Sequence, residues 1–225
     1  MRQSRVYLLR HGEIDTGGVK RFVGQQDLPL SAEGIRQARL WHETLESVVF
    51  AGVFCSDLER CCRTAEIVSG AAGNLVRPLP ELREICLGDW EGLPREQIRD
   101  RFPQQWRERE ADLTMFRPPG AESFADLEKR VVPAFERAVK EADGDVLIVA
   151  HSGVNRVIVR WVLGMPMRNL FLFAQDYACL NMIIHNGGSW QLGGLNLRPG
   201  SVDPRWIRDH WGNRMKVLGA RPTGD

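Results

Sequence analysis

Short uninterrupted apolar runs alternate along this chain with longer stretches whose apolar residues recur every three or four positions, a pattern that predicts strands feeding helices. Val6, Tyr7, Leu8 and Leu9 form a run too short for a helix, and it reads as a strand buried on both faces that ends on Arg10, His11 and Gly12. Residues 14–30 are polar and glycine-rich and predict a loop over that strand end. Ser31 caps a helix to about residue 47, with Ile35, Ala38, Trp41, His42 and Leu45 on its inner face. Residues 52–55 predict a second strand, and Ser56 with Glu59 has capping-box spacing for a helix through Val68. Residues 75–79 predict a third strand.

Beyond residue 93 the pattern breaks at Pro94, Pro103, Pro118 and Pro119, which predicts one or two short helices of mixed charge outside the sheet. Ser123 opens a long amphipathic helix to Ala142, kinked at Pro133, with Phe124, Leu127, Val131, Phe135 and Val139 inward. Residues 145–150 are the clearest buried strand of the second half and lead through His151, Ser152 and Gly153 into a helix over 154–163. Residues 177–185 and 189–196, joined by Asn186, Gly187 and Gly188, predict a hairpin with His185 exposed near its turn. The expected fold is α/β, a three-layer sandwich with a mostly parallel central sheet flanked by helices. One domain is expected over 1–198, with a small helical lid at about 86–122, followed by a tail at 199–225 that holds at most one short helix.

Composition narrows the function. The chain has 225 residues and a net charge of +1, which suits one domain and does not favour a nucleic-acid partner. No apolar stretch is long enough to span a membrane, and the chain enters a charged strand with no signal-peptide core, so a cytoplasmic location is expected. The five cysteines, Cys55, Cys61, Cys62, Cys86 and Cys179, are odd in number and lack Cys-x-x-Cys spacing, so neither a disulfide framework nor a zinc site is expected, and no metal or other cofactor is called for.

The candidate chemistry lies at two strand ends. His11 and His151 each follow a buried strand and stand at or near a glycine, and an α/β sheet can bring two such ends to one rim, where ligands of open sheets bind. A neutral imidazole is a competent nucleophile near pH 7, and a guanidinium such as Arg10 matches the geometry of phosphate oxygens. Gly12 would let the backbone approach a ligand closely. Arg60, in the first turn of a helix, would share an anion with that helix N-terminus.

The segment Leu9-Arg10-His11-Gly12-Glu13, together with Gly24-Gln25-Gln26-Asp27-Leu28-Pro29-Leu30-Ser31, resembles the opening of the histidine phosphatase superfamily, the branch that includes cofactor-dependent phosphoglycerate mutases. The stretches from Ser56 to Ala65, from Leu82 to Gly92 and around His151 are similar to its further motifs. The resemblance implies a phosphomonoesterase acting on a small phosphorylated metabolite through a phosphohistidine on His11. Arg10, Arg60 and His151 would neutralise the phosphoryl oxygens, Gly12, Gly24 and Ser152 would line the phosphate site, and Glu84 would serve the leaving group as general acid. Two positions depart from the pattern, Ile14 and Gly17 standing where threonine and asparagine are frequent. Gly88-Asp89-Trp90-Glu91-Gly92 looks like the phosphatase branches, and the proportions of the chain are similar to α-ribazole-5′-phosphate phosphatases of cobalamin synthesis. A mutase, a silent phospho-ligand-binding protein and pairing into a homodimer stay open as alternatives.

Overall fold

The computed structural model describes residues 4–19, 21–70 and 75–207. Its centre is a six-stranded sheet of β1 (Ser4–Arg10), β2 (Gly52–Cys55), β3 (Val76–Pro78), β4 (Val146–Ala150), β5 (Leu180–His185) and β6 (Trp190–Leu197), in the order β3-β2-β4-β1-β5-β6. The β3-β2, β2-β4 and β4-β1 pairings are parallel, whereas the β5-β6 hairpin joins antiparallel to β1. The unbroken apolar runs of β1 and β4 have a direct cause: both strands are flanked by strands on each side and covered on each face, so no side chain of Val6–Leu9 or Val146–Ala150 meets water.

Helices α1 (Ala32–Leu45) and α2 (Glu59–Ser69) cover one face, packing Trp41, Leu45 and Ala65 against Tyr7, Leu9 and Val149. Helices α5 (Phe124–Ala142) and α6 (Ser152–Val162) cover the other, with Leu127, Val131 and Phe135 against Val6, Leu8 and Ile148. This is the expected three-layer arrangement. Pro133 stays inside α5, whose N-terminus is fixed by a reciprocal capping box between Ser123 and Asp126. Between β3 and α5, short helices α3 (Arg95–Arg101) and α4 (Pro103–Ala111) gather around a separate small core of Trp90, Ile98 and Trp106. No helix among the described residues is long and apolar enough to cross a membrane.

Several local expectations are corrected. The Ser56–Glu59 capping box does not form: α2 begins at Glu59, whose N–H is capped from a distance by the Asp27 carboxylate at 2.8 Å, while Asp57 holds Arg83 through two hydrogen bonds. On α1 the inward stripe takes Thr44 and leaves His42 exposed, with the ring donating to the Val68 carbonyl. His185 is half-buried and stacks on Trp190 with ring centroids 4.2 Å apart. In the tail, Trp206 and Ile207 pack against the α1/α2 core, and the stretch 208–225, including Trp211, lies outside the described residues.

Candidate active site

The parallel register of β1 and β4 builds the site. Arg10 pairs with Ala150, and the His11 N–H donates to the Ala150 carbonyl at 3.0 Å, so the next residue on each strand is a histidine facing the same rim. The two rings lie 5.1 Å apart at 63°, and both are buried, at 4% and 0% exposure. Arg60 comes in from the first turn of α2 and is itself 1% exposed.

Hydrogen bonds fix the tautomers. The Nδ1–H of His11 donates to its neighbour's carbonyl, Gly12 O, at 2.8 Å, which leaves Nε2 as the ring's lone-pair atom. Arg60 Nε–H donates to Nδ1 of His151 at 3.3 Å, so the proton of a neutral His151 sits on Nε2. Burial pushes His11 well below the ordinary histidine range, and Arg10 and Arg60 push in the same direction, against a smaller opposing effect of the Gly12 carbonyl. Burial, then Arg60, lowers His151 likewise. The site therefore holds two neutral imidazoles between two guanidiniums.

Those guanidiniums are held by backbone, not by carboxylates. Arg60 donates to the carbonyls of Gln26 at 2.6 Å and Gly24 at 2.9 Å. Arg10 donates to the Gln175 carbonyl at 2.7 Å and lies 3.8 Å from the ring centre of Tyr177, while its buried Nε has no partner. Their positive charge is thus left to whatever enters. A buried donor without an acceptor is costly, and an anion would supply the missing acceptor.

Glu84 reaches the same cavity from the loop after β3. Its two oxygens accept the N–H groups of Gly153 at 3.0 Å and Ile85 at 2.9 Å, which pins the carboxylate at the N-terminus of α6. Arg130 of α5 secures that loop by donating to the carbonyls of Glu81, Arg83 and Glu84 while pairing with Glu122. Sequence reasoning missed Arg130, whose role depends on three carbonyls almost fifty residues away.

The cavity, about 350 Å³, is lined at one end by Arg10, His11, Arg60, Glu84, His151 and Ser152. Gly24 lies on its wall at φ +55°, where its carbonyl meets Arg60. Gly12 is not on the wall. A Cβ there would come within 2.5 Å of the Gly34 carbonyl of α1, so its bareness serves helix packing, and its N–H donates to Thr64. Ile14 is buried and presents apolar surface to the cavity. Sequence reasoning also missed two wall residues, Tyr177, which lies far along the chain from any recognisable motif, and Arg156, which follows the His151 motif by five residues and carries no signature of its own.

A curated relative from Escherichia coli (strain K12), the adenosylcobalamin/alpha-ribazole phosphatase, is 30% identical over 200 residues, covering 88% of this chain and 98% of the relative. A relative from Serratia proteamaculans (strain 568), named a probable phosphoglycerate mutase GpmB, is 34% identical over 195 residues, covering 84% and 89%. The crystal structure of the alpha-ribazole phosphatase from Shigella flexneri superposes with a TM-score of 0.81 at 31% identity, covering 88% of this chain and 99% of that one. The model of the histidine phosphatase superfamily (branch 1) matches residues 6–198, and the chain belongs to that family.

Proposed function

We propose that this chain hydrolyses phosphate monoesters of a small metabolite through a phosphohistidine on His11. The observation that carries the proposal is the pair of neutral, buried histidines flanked by two guanidiniums that form no ion pair with a carboxylate among the described residues. Nε2 of His11 attacks phosphorus, and the P–O bond to the alcohol breaks as the P–N bond forms. Glu84 in its protonated form gives its proton to the departing oxygen, then as carboxylate takes one from the water that attacks the phosphohistidine, so inorganic phosphate leaves and both residues return to their starting state. Arg10, Arg60 and the Nε2–H of His151 stabilise the equatorial oxygens, whose charge is held by fixed donors. Residues 86–122 act as a lid over the alcohol end of the cavity.

Among known esters, α-ribazole 5′-phosphate is supported by the names of the relatives, and an aromatic wall of Phe22, Trp90, Phe116 and Phe171 suits a flat ring system. The mutase reading is supported by the name of the Serratia relative.

The test is phosphate release from α-ribazole 5′-phosphate, p-nitrophenyl phosphate and 3-phosphoglycerate in chelator, with acid-labile phosphoenzyme trapped in parallel. We expect hydrolysis, a label on His11, and a fall in kcat of about 10⁴-fold or more in His11→Ala. Undiminished turnover by His11→Ala would remove His11 as nucleophile. Slow release beside fast interconversion of phosphoglycerates would make the enzyme a mutase.

A further inference from the structure

The end of the cavity away from the histidines is unusual in its chemistry. Its wall is aromatic and aliphatic, interrupted by three guanidiniums, those of Arg21, Arg109 and Arg156. The cavity's two hydroxyl side chains, Ser152 and Tyr177, lie at the histidine end, Tyr177 with its ring 5.7 Å from that of His11. The two carboxylates on the wall are already committed, Glu84 to the N–H groups of Gly153 and Ile85, and Glu122 to Arg130 and the Cys86 N–H. Hydroxyls need free acceptors and amides, so this far end suits a flat ring better than a sugar or polyol.

The three guanidiniums differ in how far they are satisfied. Arg156 donates to the carbonyls of Leu170 and Phe173, and Arg21 donates to the Gly92 carbonyl. Arg109, on α4, has neither an ion pair nor a hydrogen bond among the described residues. Its guanidinium lies 5.1 Å from the ring centre of Trp106 and 5.7 Å from that of Phe22, and that of Arg95 lies 5.0 Å from the same Trp106 ring. The adjacent Glu110 is engaged by the Trp106 indole N–H at 2.7 Å. Burial, then the charge of Arg95, lowers the Arg109 pKa, against a smaller opposing effect of the Glu110 carboxylate. A half-buried cation stacked on aromatic faces, facing a cavity and with no ion pair among the described residues, can take up an anion.

We propose that the preferred alcohol is a flat, apolar-bodied group carrying an acidic substituent at the end away from the ester, with Arg109 as the residue that selects for the acid. The proposal rests on the phosphatase reading above and adds a second charged contact, remote from phosphorus, which discriminates between esters. A neutral base such as that of α-ribazole would fill the aromatic wall and leave Arg109 without a counter-charge.

Two isosteric esters test it, 4-carboxyphenyl phosphate and 4-carbamoylphenyl phosphate, compared in the full-length enzyme and in Arg109→Met and Arg109→Lys. A charge-assisted contact of this kind predicts a preference for the carboxylate of about tenfold in kcat/KM. That ratio should fall to about one in Arg109→Met and be partly restored in Arg109→Lys. Equal kcat/KM for the two esters in the wild type, or a preference that survives Arg109→Met, would overturn the proposal and leave the phosphatase reading intact. No turnover of either ester would overturn both.

Discussion

The two ends of the cavity are built differently. At the phosphoryl end the side chains are delivered by strand ends and a helix start whose positions are set by backbone registers: Arg10 and His11 by β1, His151 by β4, and Arg60 by the first turn of α2. His11, His151 and Arg60 are almost wholly buried, Arg10 is half-buried, and their hydrogen bonds run mainly to backbone. At the other end Trp90, Arg109 and Phe116 come from short helices and turns with a small core of their own. Sheet register tolerates no slip without moving every side chain to the other face, so reactive groups placed there are held rigidly. A helical segment resting on one aromatic cluster can change its side chains with little effect on the sheet, which suits selection among alcohols. On the proposed reading, the fold separates the reaction from the choice of substrate.

The largest effect should come from breaking the phosphoryl end. Arg60→Met removes a guanidinium from the developing charge and also frees Nδ1 of His151 from its donor. We expect kcat to fall about 10²- to 10³-fold on every ester alike, as for the loss of a preorganised donor to a transition-state oxygen. A loss confined to one ester would mean that Arg60 reads the alcohol instead.

Glu84 marks the boundary between the ends, and its replacement should discriminate by leaving group. In Glu84→Gln, kcat/KM for an alkyl phosphate should fall about 100-fold, whereas that for p-nitrophenyl phosphate, whose anion departs without a proton, should change little. Arg130→Met should give a weaker version of the same selectivity, because Arg130 acts only by holding the loop that carries Glu84. An equal loss on both esters would place Glu84 outside proton transfer.

How much of this was legible in the sequence follows the same division. The histidines could be found because a buried strand ending in histidine is visible in the pattern, and the register that pairs Arg10 with Ala150 then brings the two together. Arg60 and Glu84 needed the family resemblance, since one helical arginine or one loop carboxylate has no signature in periodicity. Arg109, Arg130 and Tyr177 were not legible, because their roles are set by partners distant in sequence: three carbonyls for Arg130, an aromatic face for Arg109, and the guanidinium of Arg10 for Tyr177. The α2 cap failed for the same reason, the local box yielding to Asp27 more than thirty residues away. At Gly12 the residue was identified and its purpose was not, because a close approach by Gly34 leaves the same glycine in the sequence as a close approach by a ligand.

The charge state of the phosphoryl end gives a smaller effect that can be measured directly. His11 and His151 are both lowered, so they should stay neutral as pH falls through the ordinary histidine value of about 6.5. The unfolded chain takes up those protons and the folded one resists them, so stability should decline as pH drops below about 6.5. Imidazole NMR signals should report two rings that remain neutral at pH 6, with Arg60→Met moving both upward because one repelling cation is gone. Two rings that titrate at the ordinary value would contradict the burial on which the nucleophile depends.

The smallest effect on turnover, and the sharpest on the comparison itself, should follow Trp106→Ala. Trp106 stacks on Trp90 at 6.1 Å between ring centroids and supports Arg109, yet it does not line the cavity. Truncating a buried tryptophan costs about 3–5 kcal/mol, but here that loss falls on the three-residue cluster with Ile98, which is distinct from the two cores that flank the sheet. Opening of residues 95–111 should therefore become local, with faster amide exchange there while β1 and β4 keep their protection. Turnover of p-nitrophenyl phosphate should fall only a few-fold, and the preference for an acid-bearing ester should weaken with the loss of the ring that orients Arg109. Protection lost equally in β1 and β4 would mean that the segment and the sheet unfold as one unit, and that the alcohol end cannot vary without disturbing the histidines.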